Sequence, residues 1–120
     1  MAEIIELPTH ADPRGSLTVL EKKLPFEIKR AYWMTDLKGE ARGRHRHLLT
    51  RQALVCLQGA CEVFIQIKGE TQTYLMDKPN EILLLEPQDW HELRNFRDNP
   101  VILVFASHHY DPNDYVKEPL

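Results

Sequence analysis

Glycine is scarce in this chain, five residues in 120, and cysteine scarcer at two. No glycine-rich loop of the kind that cradles a phosphate on backbone amides is present, so an anionic ligand has to be held by side chains. Two cysteines cannot build a disulfide framework. Cys56 and Cys61 flank Leu57-Gln58-Gly59-Ala60 and would face each other across a hairpin there. In a reducing compartment they are expected to be buried free thiols. Neither charge dominates: 15 basic against 18 acidic side chains leave a net charge of −3. That balance offers no general attraction to nucleic acid or to an anionic membrane. Long apolar runs are also missing, and Met1-Ala2-Glu3-Ile4-Ile5-Glu6 lacks the basic start of an export signal, so a cytoplasmic protein is expected. The length suits a single domain over 1–120 with one core. There is no internal repeat and no low-complexity linker.

What is present is a series of short apolar runs separated by turn chemistry, with little sustained helical periodicity. Strands are predicted at Leu17–Leu20, Ile28–Thr35, Gln52–Leu57, Cys61–Ile67, Thr71–Met76, Ile82–Leu85, Trp90–Phe96 and Val101–Ala106. Gly39 and Gly43 bracket a polar loop. Turns are expected at Gln58-Gly59-Ala60, Lys68-Gly69-Glu70 and Asp98-Asn99-Pro100, the first two making a three-strand meander. A helix or ordered turn is expected after Asp111. Eight or so strands in this length imply an all-β barrel or jelly roll.

The chemistry concentrates at Gly43-Arg44-His45-Arg46-His47. On an extended strand, residues two apart share a face with their backbones about 7 Å apart, so both imidazoles of His45 and His47 can point into a barrel. The series Gly39, His45, His47, Gln52, Gly59 matches the spacing of the first cupin motif, with Gln52 in the slot normally held by glutamate. Pro87 through His91 to Asn95 is a weaker echo of the second. Two histidines, a carboxylate and a third histidine are the usual cupin set for iron, manganese or nickel. Because Gln52 is neutral, no metal is expected. A metal-free imidazole pair titrating near neutrality suits proton transfer instead, which points to isomerisation or epimerisation.

A wider set of motifs runs along nearly the whole chain: Asp12-Pro13-Arg14-Gly15-Ser16-Leu17, Pro25-Phe26, Ile28-Lys29-Arg30-Ala31-Tyr32, Arg42-Gly43 with His45 and His47, Gln52, Trp90-His91-Glu92, and Ala106-Ser107 with Tyr110-Asp111 and Asp114-Tyr115. In this the chain resembles the dTDP-sugar 3,4-ketoisomerases. These are metal-independent cupins that convert dTDP-4-keto-6-deoxyglucose to its 3-keto isomer on the way to aminated deoxysugars. The resemblance implies an RmlC-like cupin jelly roll, no cofactor, a dTDP-sugar nucleotide as ligand, and a homodimer with residues 1–20 exchanged between subunits. It makes His45, His47 and Tyr32 the catalytic set, with His47 as the carbon base and the reverse assignment to His45 left open. It takes Arg14, Arg42, Gln52 and Trp90 to the substrate, Arg14 reaching the diphosphate from the exchanged strand. Two departures stand out: Arg44 and Arg46 replace an aromatic residue and an alanine, and the region after Tyr115 is short. The configuration of the product at C4 stays open.

Other readings compete. A metal-dependent, dioxygenase-like cupin would use His45, His47 and His91. A non-catalytic sugar-nucleotide binding module would need only the cavity, and a 3,5-epimerase of the same architecture is a fourth reading. His91 fits a cavity wall or a structural hydrogen bond equally, and His108 and His109 read as surface residues.

Overall fold

Ten strands and one short 3-10 turn make up the chain in the computed structural model, which describes residues 1–120. The strands are β1 (Glu3–Glu6), β2 (Thr9–Asp12), β3 (Gly15–Thr18), β4 (Arg30–Met34), β5 (Arg42–His47), β6 (Gln52–Ile67), β7 (Glu70–Met76), β8 (Glu81–Leu85), β9 (Trp90–Ala106) and β10 (Tyr115–Val116). The two longest, β6 and β9, pair antiparallel from Gln52↔Ala106 to Gln66↔Trp90. The first half of β6 also pairs with β8 and its second half with β7, while β9 takes β5 on one half and β4 on the other. One sheet of order β1-β8-β6-β9-β5-β10 results, with β4 and β7 as side branches. It folds on itself about the midpoints of β6 and β9, giving the expected all-β cupin jelly roll.

Two predicted turns are bends inside continuous strands. Neither Gln58-Gly59-Ala60 nor Asp98-Asn99-Pro100 reverses the chain. The register of β6 on β9 slips three times between Cys56 and Glu62, and Gly59, Asp98 and Asn99 all take left-handed φ. These bulges face each other, so both strands turn the barrel corner together. A Cβ on Gly59 would lie 2.5 Å from the Arg97 carbonyl oxygen, which leaves no room for any other residue. The expected hairpin across Cys56 and Cys61 is therefore replaced by one bent strand, with both thiols free and buried. The polar stretch after Gly39 likewise runs into a strand, β5, rather than remaining a loop. β1, β2 and β10 are not among the predicted strands: β1 and β2 are short and largely exposed, and β10 is a half-buried pair of residues.

The core explains the apolar patterns. β8 is apolar on both faces because it is buried on both: Leu83 and Leu85 enter the barrel with Leu54, Val63 and Ile102, whereas Ile82 packs outside with Leu7, Ala53 and Val55. Leu20, Leu24 and Phe26 cover that outer cluster. In β9, His91 and Leu93, then Ile102, Val104 and Ala106, alternate inward with period two. The turn expected after Asp111 is the 3-10 turn Pro112–Asp114, started by the Asp111 carboxylate accepting the Asn113 amide at 3.0 Å. The β2–β3 hairpin stands apart from the barrel and is exposed on both faces.

Candidate active site

β5 places both histidines. Opposite β9 its register shifts between Gly43 and His45, where Arg44 adopts a left-handed φ of 62°. Gly43, at φ 86°, sits so close that a Cβ would come within 3.0 Å of the His91 carbonyl oxygen. After this bulge, His45 and His47 share one face of β5. Arg44 and Arg46 take the other, where the Arg44 Nε donates to Glu92 at 2.6 Å and the Arg46 Nε to the Glu118 carbonyl at 2.9 Å. The two arginines that depart from the family pattern thus fasten β5 to its neighbours.

A cavity of about 240 Å³ opens inside the barrel at this point. Met34, Leu54, Leu85, Leu93 and Val104 form its apolar side; Arg30, Tyr32, Arg42, His45, Gln52, His91 and Tyr115 form its polar side. Of the site residues expected from sequence, His45, Tyr32, Arg42 and Gln52 therefore come together. His47 lies just behind this wall, 4% exposed, its ring 5.1 Å from that of His45. Trp90 lies outside the cavity and donates its indole N–H to the Lys117 carbonyl at 2.7 Å, so it holds the C-terminal segment. Arg14 is at the tip of the β2–β3 hairpin, 90% exposed and paired with Asp12 at 2.6 Å, and does not line this chain's own cavity.

Each of the three histidines has its Nδ1 engaged. His45 meets the Gly43 carbonyl at 3.1 Å, His91 the Asp89 carbonyl at 3.1 Å, and His47 the Asp114 carboxylate at 2.9 Å. A carbonyl or ionised carboxylate only accepts, so Nδ1 carries the proton in each ring and Nε2 is a bare acceptor when the ring is neutral. Burial pushes the pKa of all three down, that of His91 to about 3, and for His47 it outweighs the opposing pull of Asp114. Tyr32 is raised by burial and keeps its proton. Its oxygen accepts the Gln52 amide N–H at 3.1 Å, which leaves the hydroxyl proton free to donate into the cavity. Gln52 also lies beside His47, yet the His47 Nε2 is buried with no hydrogen-bond partner.

One ring nitrogen from each of His45, His47 and His91 lies within 4.8 Å of the other two. A transition metal of the iron or manganese cupin kind would find three neutral imidazoles but no anionic ligand, since Gln52 fills the carboxylate slot and its amide is committed to Tyr32. The donor set does not fit that group, and the chemistry below runs through side chains alone.

Four residues of the site were not assigned from sequence: Arg30, Asp114 and Tyr115, with His91 left open. Arg30 alternates inward with Tyr32 on β4, and its guanidinium lies 4.4 Å from the Tyr32 ring. Period-two reading from Tyr32 could have found it. Asp114 and Tyr115 belong to the C-terminal segment, and only the pairing of β10 with β5, Tyr115 opposite His47, brings them in. The Tyr115 ring then packs against both His45 and His47.

With this geometry in place, the relatives are informative. The family described as "FdtA: WxcM-like, C-terminal" matches residues 1–119. TDP-4-oxo-6-deoxy-alpha-D-glucose-3,4-oxoisomerase of Aneurinibacillus thermoaerophilus is 40% identical, over 97% of this chain and 86% of that protein. A histidine-to-asparagine mutant of the 3,4-ketoisomerase QdtA from Thermoanaerobacterium thermosaccharolyticum, in complex with TDP-4-keto-6-deoxyglucose, superposes with a TM-score of 0.94 at 32% identity, covering 98% of this chain and 87% of that one. A 3,4-ketoisomerase from Helicobacter canadensis gives 0.93 at 35% identity, covering 98% and 90%. A family match along almost the entire length, joined to a barrel of the same shape, establishes that this chain belongs to the FdtA, WxcM-like family of sugar-nucleotide 3,4-ketoisomerases.

Proposed function

We propose that this protein is an isomerase that moves the keto group of TDP-4-keto-6-deoxyglucose from C4 to C3, in deoxysugar biosynthesis. The observation that carries the reading is the imidazole pair of His45, half-buried on the polar side of the cavity with the protonated hydroxyl of Tyr32, and His47, buried directly behind it, each with its Nδ1 engaged and its Nε2 bare. The reaction needs no redox cofactor. A base takes the C3 proton, whose acidity comes from the C4 carbonyl, while a donor protonates the C4 oxygen to form the enediol. Loss of the C3 hydroxyl proton and return of a proton to C4 complete the exchange. His47 is assigned as the base, Tyr32 as the donor to oxygen, and His45 as the group passing protons between the sugar oxygens. Arg42 and Gln52 position the sugar.

A cavity of about 240 Å³ is smaller than the ~300–1,000 Å³ typical of sites that enclose a drug-sized ligand. It suits the hexose ring, with the nucleotide outside. Arg14 can meet a diphosphate there only from a second subunit. A two-stranded hairpin such as β2–β3 is marginal on its own, and its Leu17 is 64% exposed. β1 pairs with β8 of its own chain and Leu7 is buried there, so of residues 1–20 we assign only the β2–β3 hairpin to an exchanged arm in a homodimer. The direct test is incubation with TDP-4-keto-6-deoxyglucose followed by NMR of the hexulose: the 3-keto isomer is expected, and unchanged substrate under conditions where TDP binds would overturn the activity in favour of a binding module.

A further inference from the structure

Tyr115 packs on both histidines of β5 at once. Its ring centroid lies 4.7 Å from that of His45 and 4.6 Å from that of His47, edge-on at 63° and 61°, while the two imidazoles stand 5.1 Å apart at 87°. Each of the three rings therefore touches the other two in the edge-to-face arrangement that aromatic groups favour. Each imidazole of the pair is tied through its Nδ1, His45 to the Gly43 carbonyl and His47 to the Asp114 carboxylate. One hydrogen bond directs a nitrogen but tolerates a wide range of angles, so the tilt of each ring is left to its packing. Tyr115 reaches this position from β10, two residues paired with β5 and with no other strand. The next two residues are fastened in turn, the Lys117 carbonyl accepting the Trp90 indole and the Glu118 carbonyl accepting Arg46. On its other side the Tyr115 ring meets Tyr110 at 5.7 Å, and Tyr110 is exposed. Tyr115 thus stands between the imidazole pair and the outside of the barrel, and lines the cavity as well.

We propose that Tyr115 is a positioning residue whose ring covers the β5 imidazole pair on the side of the C-terminal segment, fixing the tilt of both rings and keeping water off them. Its consequence for turnover rests on the proposed isomerase activity, and it concerns both imidazoles alike. Proton transfer needs the accepting nitrogen within hydrogen-bond reach and aligned, and a misplacement of about 1 Å can cost on the order of a hundredfold in rate. Burial is the largest cause of the lowered pKa of His45 and of His47, and the Tyr115 ring supplies part of that cover. The charged and titratable groups that face the pair are Arg30 and Tyr32 from β4, Arg42 from β5 itself, His91 from β9, and Asp114 beside Tyr115. Of these, Asp114 raises His47 and Arg30 lowers it. A substitution at position 115 removes none of these groups, so what it changes is the fit of the rings and their access to water.

The test titrates the imidazoles of His45 and His47 by 1H–15N NMR in the wild type, Tyr115→Phe and Tyr115→Ala, with turnover measured beside it. Wild-type midpoints should lie below the free-imidazole value of about 6.5. Tyr115→Phe keeps the ring and should follow the wild type, whereas in Tyr115→Ala both midpoints should rise toward that value. Turnover in Tyr115→Ala should fall at least about tenfold with KM within about threefold. The acid limb of its kcat/KM profile should move up with the midpoints, and Tyr115→Phe should restore most of the lost rate. Unmoved midpoints in Tyr115→Ala overturn the proposal, as does a loss of turnover in Tyr115→Phe equal to that in Tyr115→Ala, which would make the hydroxyl the working group. Should Tyr115→Ala fail to fold, the other two proteins decide: wild-type midpoints at or above about 6.5, or midpoints in Tyr115→Phe that leave the wild-type values, overturn it. The titration is read without substrate, so two failures stay apart. Midpoints that shift as expected in a protein that leaves TDP-4-keto-6-deoxyglucose unchanged remove only the isomerase activity. Normal turnover in Tyr115→Ala with unmoved midpoints removes only the role of Tyr115.

Discussion

At the scale of single residues, the site combines groups that stay neutral with groups that stay charged. Burial lowers the pKa of His45, His47 and His91, so all three are unprotonated at neutral pH and available as acceptors. A base is lost when it is protonated, so kcat/KM should fall on the acid side only, with its midpoint below the free-imidazole value of about 6.5. A pH–rate profile with an acid limb centred above 7 would contradict the burial seen here. Asparagine at position 47 preserves a polar side chain but cannot act as the base. His47→Asn should cut turnover by at least about a hundredfold while TDP still binds. In deuterated water the wild type should place deuterium at C4 of the product, and the variant should not.

Among the elements, β6 and β9 carry the architecture, because each serves both halves of the bent sheet and their paired bulges set the corner. Gly59 is where that corner is most constrained: at φ 70°, an added Cβ would meet the carbonyl oxygens of Arg97 and Asp98 at 2.5 and 2.6 Å. Gly69 has a similar φ of 80° but nothing within 4 Å. Gly69→Ala should therefore cost only the left-handed backbone penalty of about 1–2 kcal/mol. Gly59→Ala should cost clearly more, since the two strands must also part. Urea unfolding of both variants checks the order, and equal midpoints would show that the corner can relax. The C-terminal segment is the other decisive element, because pairing of β10 with β5 at the edge of the sheet lays Asp114 and Tyr115 against the histidines.

For the whole molecule, the unfinished surfaces are the hairpin and the outer face of β4, where Trp33 is 68% exposed. A homodimer that covers them should sediment as two chains of 14.1 kDa. If the arm is exchanged, Arg14 of one subunit serves the cavity of the other. Arg14→Ala and His47→Asn dimers, each weak alone, should then recover turnover when mixed and allowed to exchange subunits, because one cavity of the mixed dimer is intact. No recovery in a demonstrated mixed dimer would place Arg14 in its own chain's site or in none.

Local signals were enough for the all-β class, the family and four polar side chains of the cavity, Tyr32, Arg42, His45 and Gln52: period-two alternation, the His45–His47 spacing, and ordered motifs from Asp12 to Tyr115. They also identified where the chain changes direction, but not how sharply. Gly59 and Asp98-Asn99 have the same local chemistry whether they reverse a strand or bend it, and only their opposition across the β6–β9 ladder selects the bend. Trp90 illustrates the converse, since its place in a motif near His91 suggested the substrate, while packing turned its indole to the Lys117 carbonyl. Asp114 lies 67 residues along the chain from His47, with no spacing rule to connect them. Their contact exists because β10 pairs with β5, and a carboxylate behind an imidazole is a property of that pairing rather than of either segment alone.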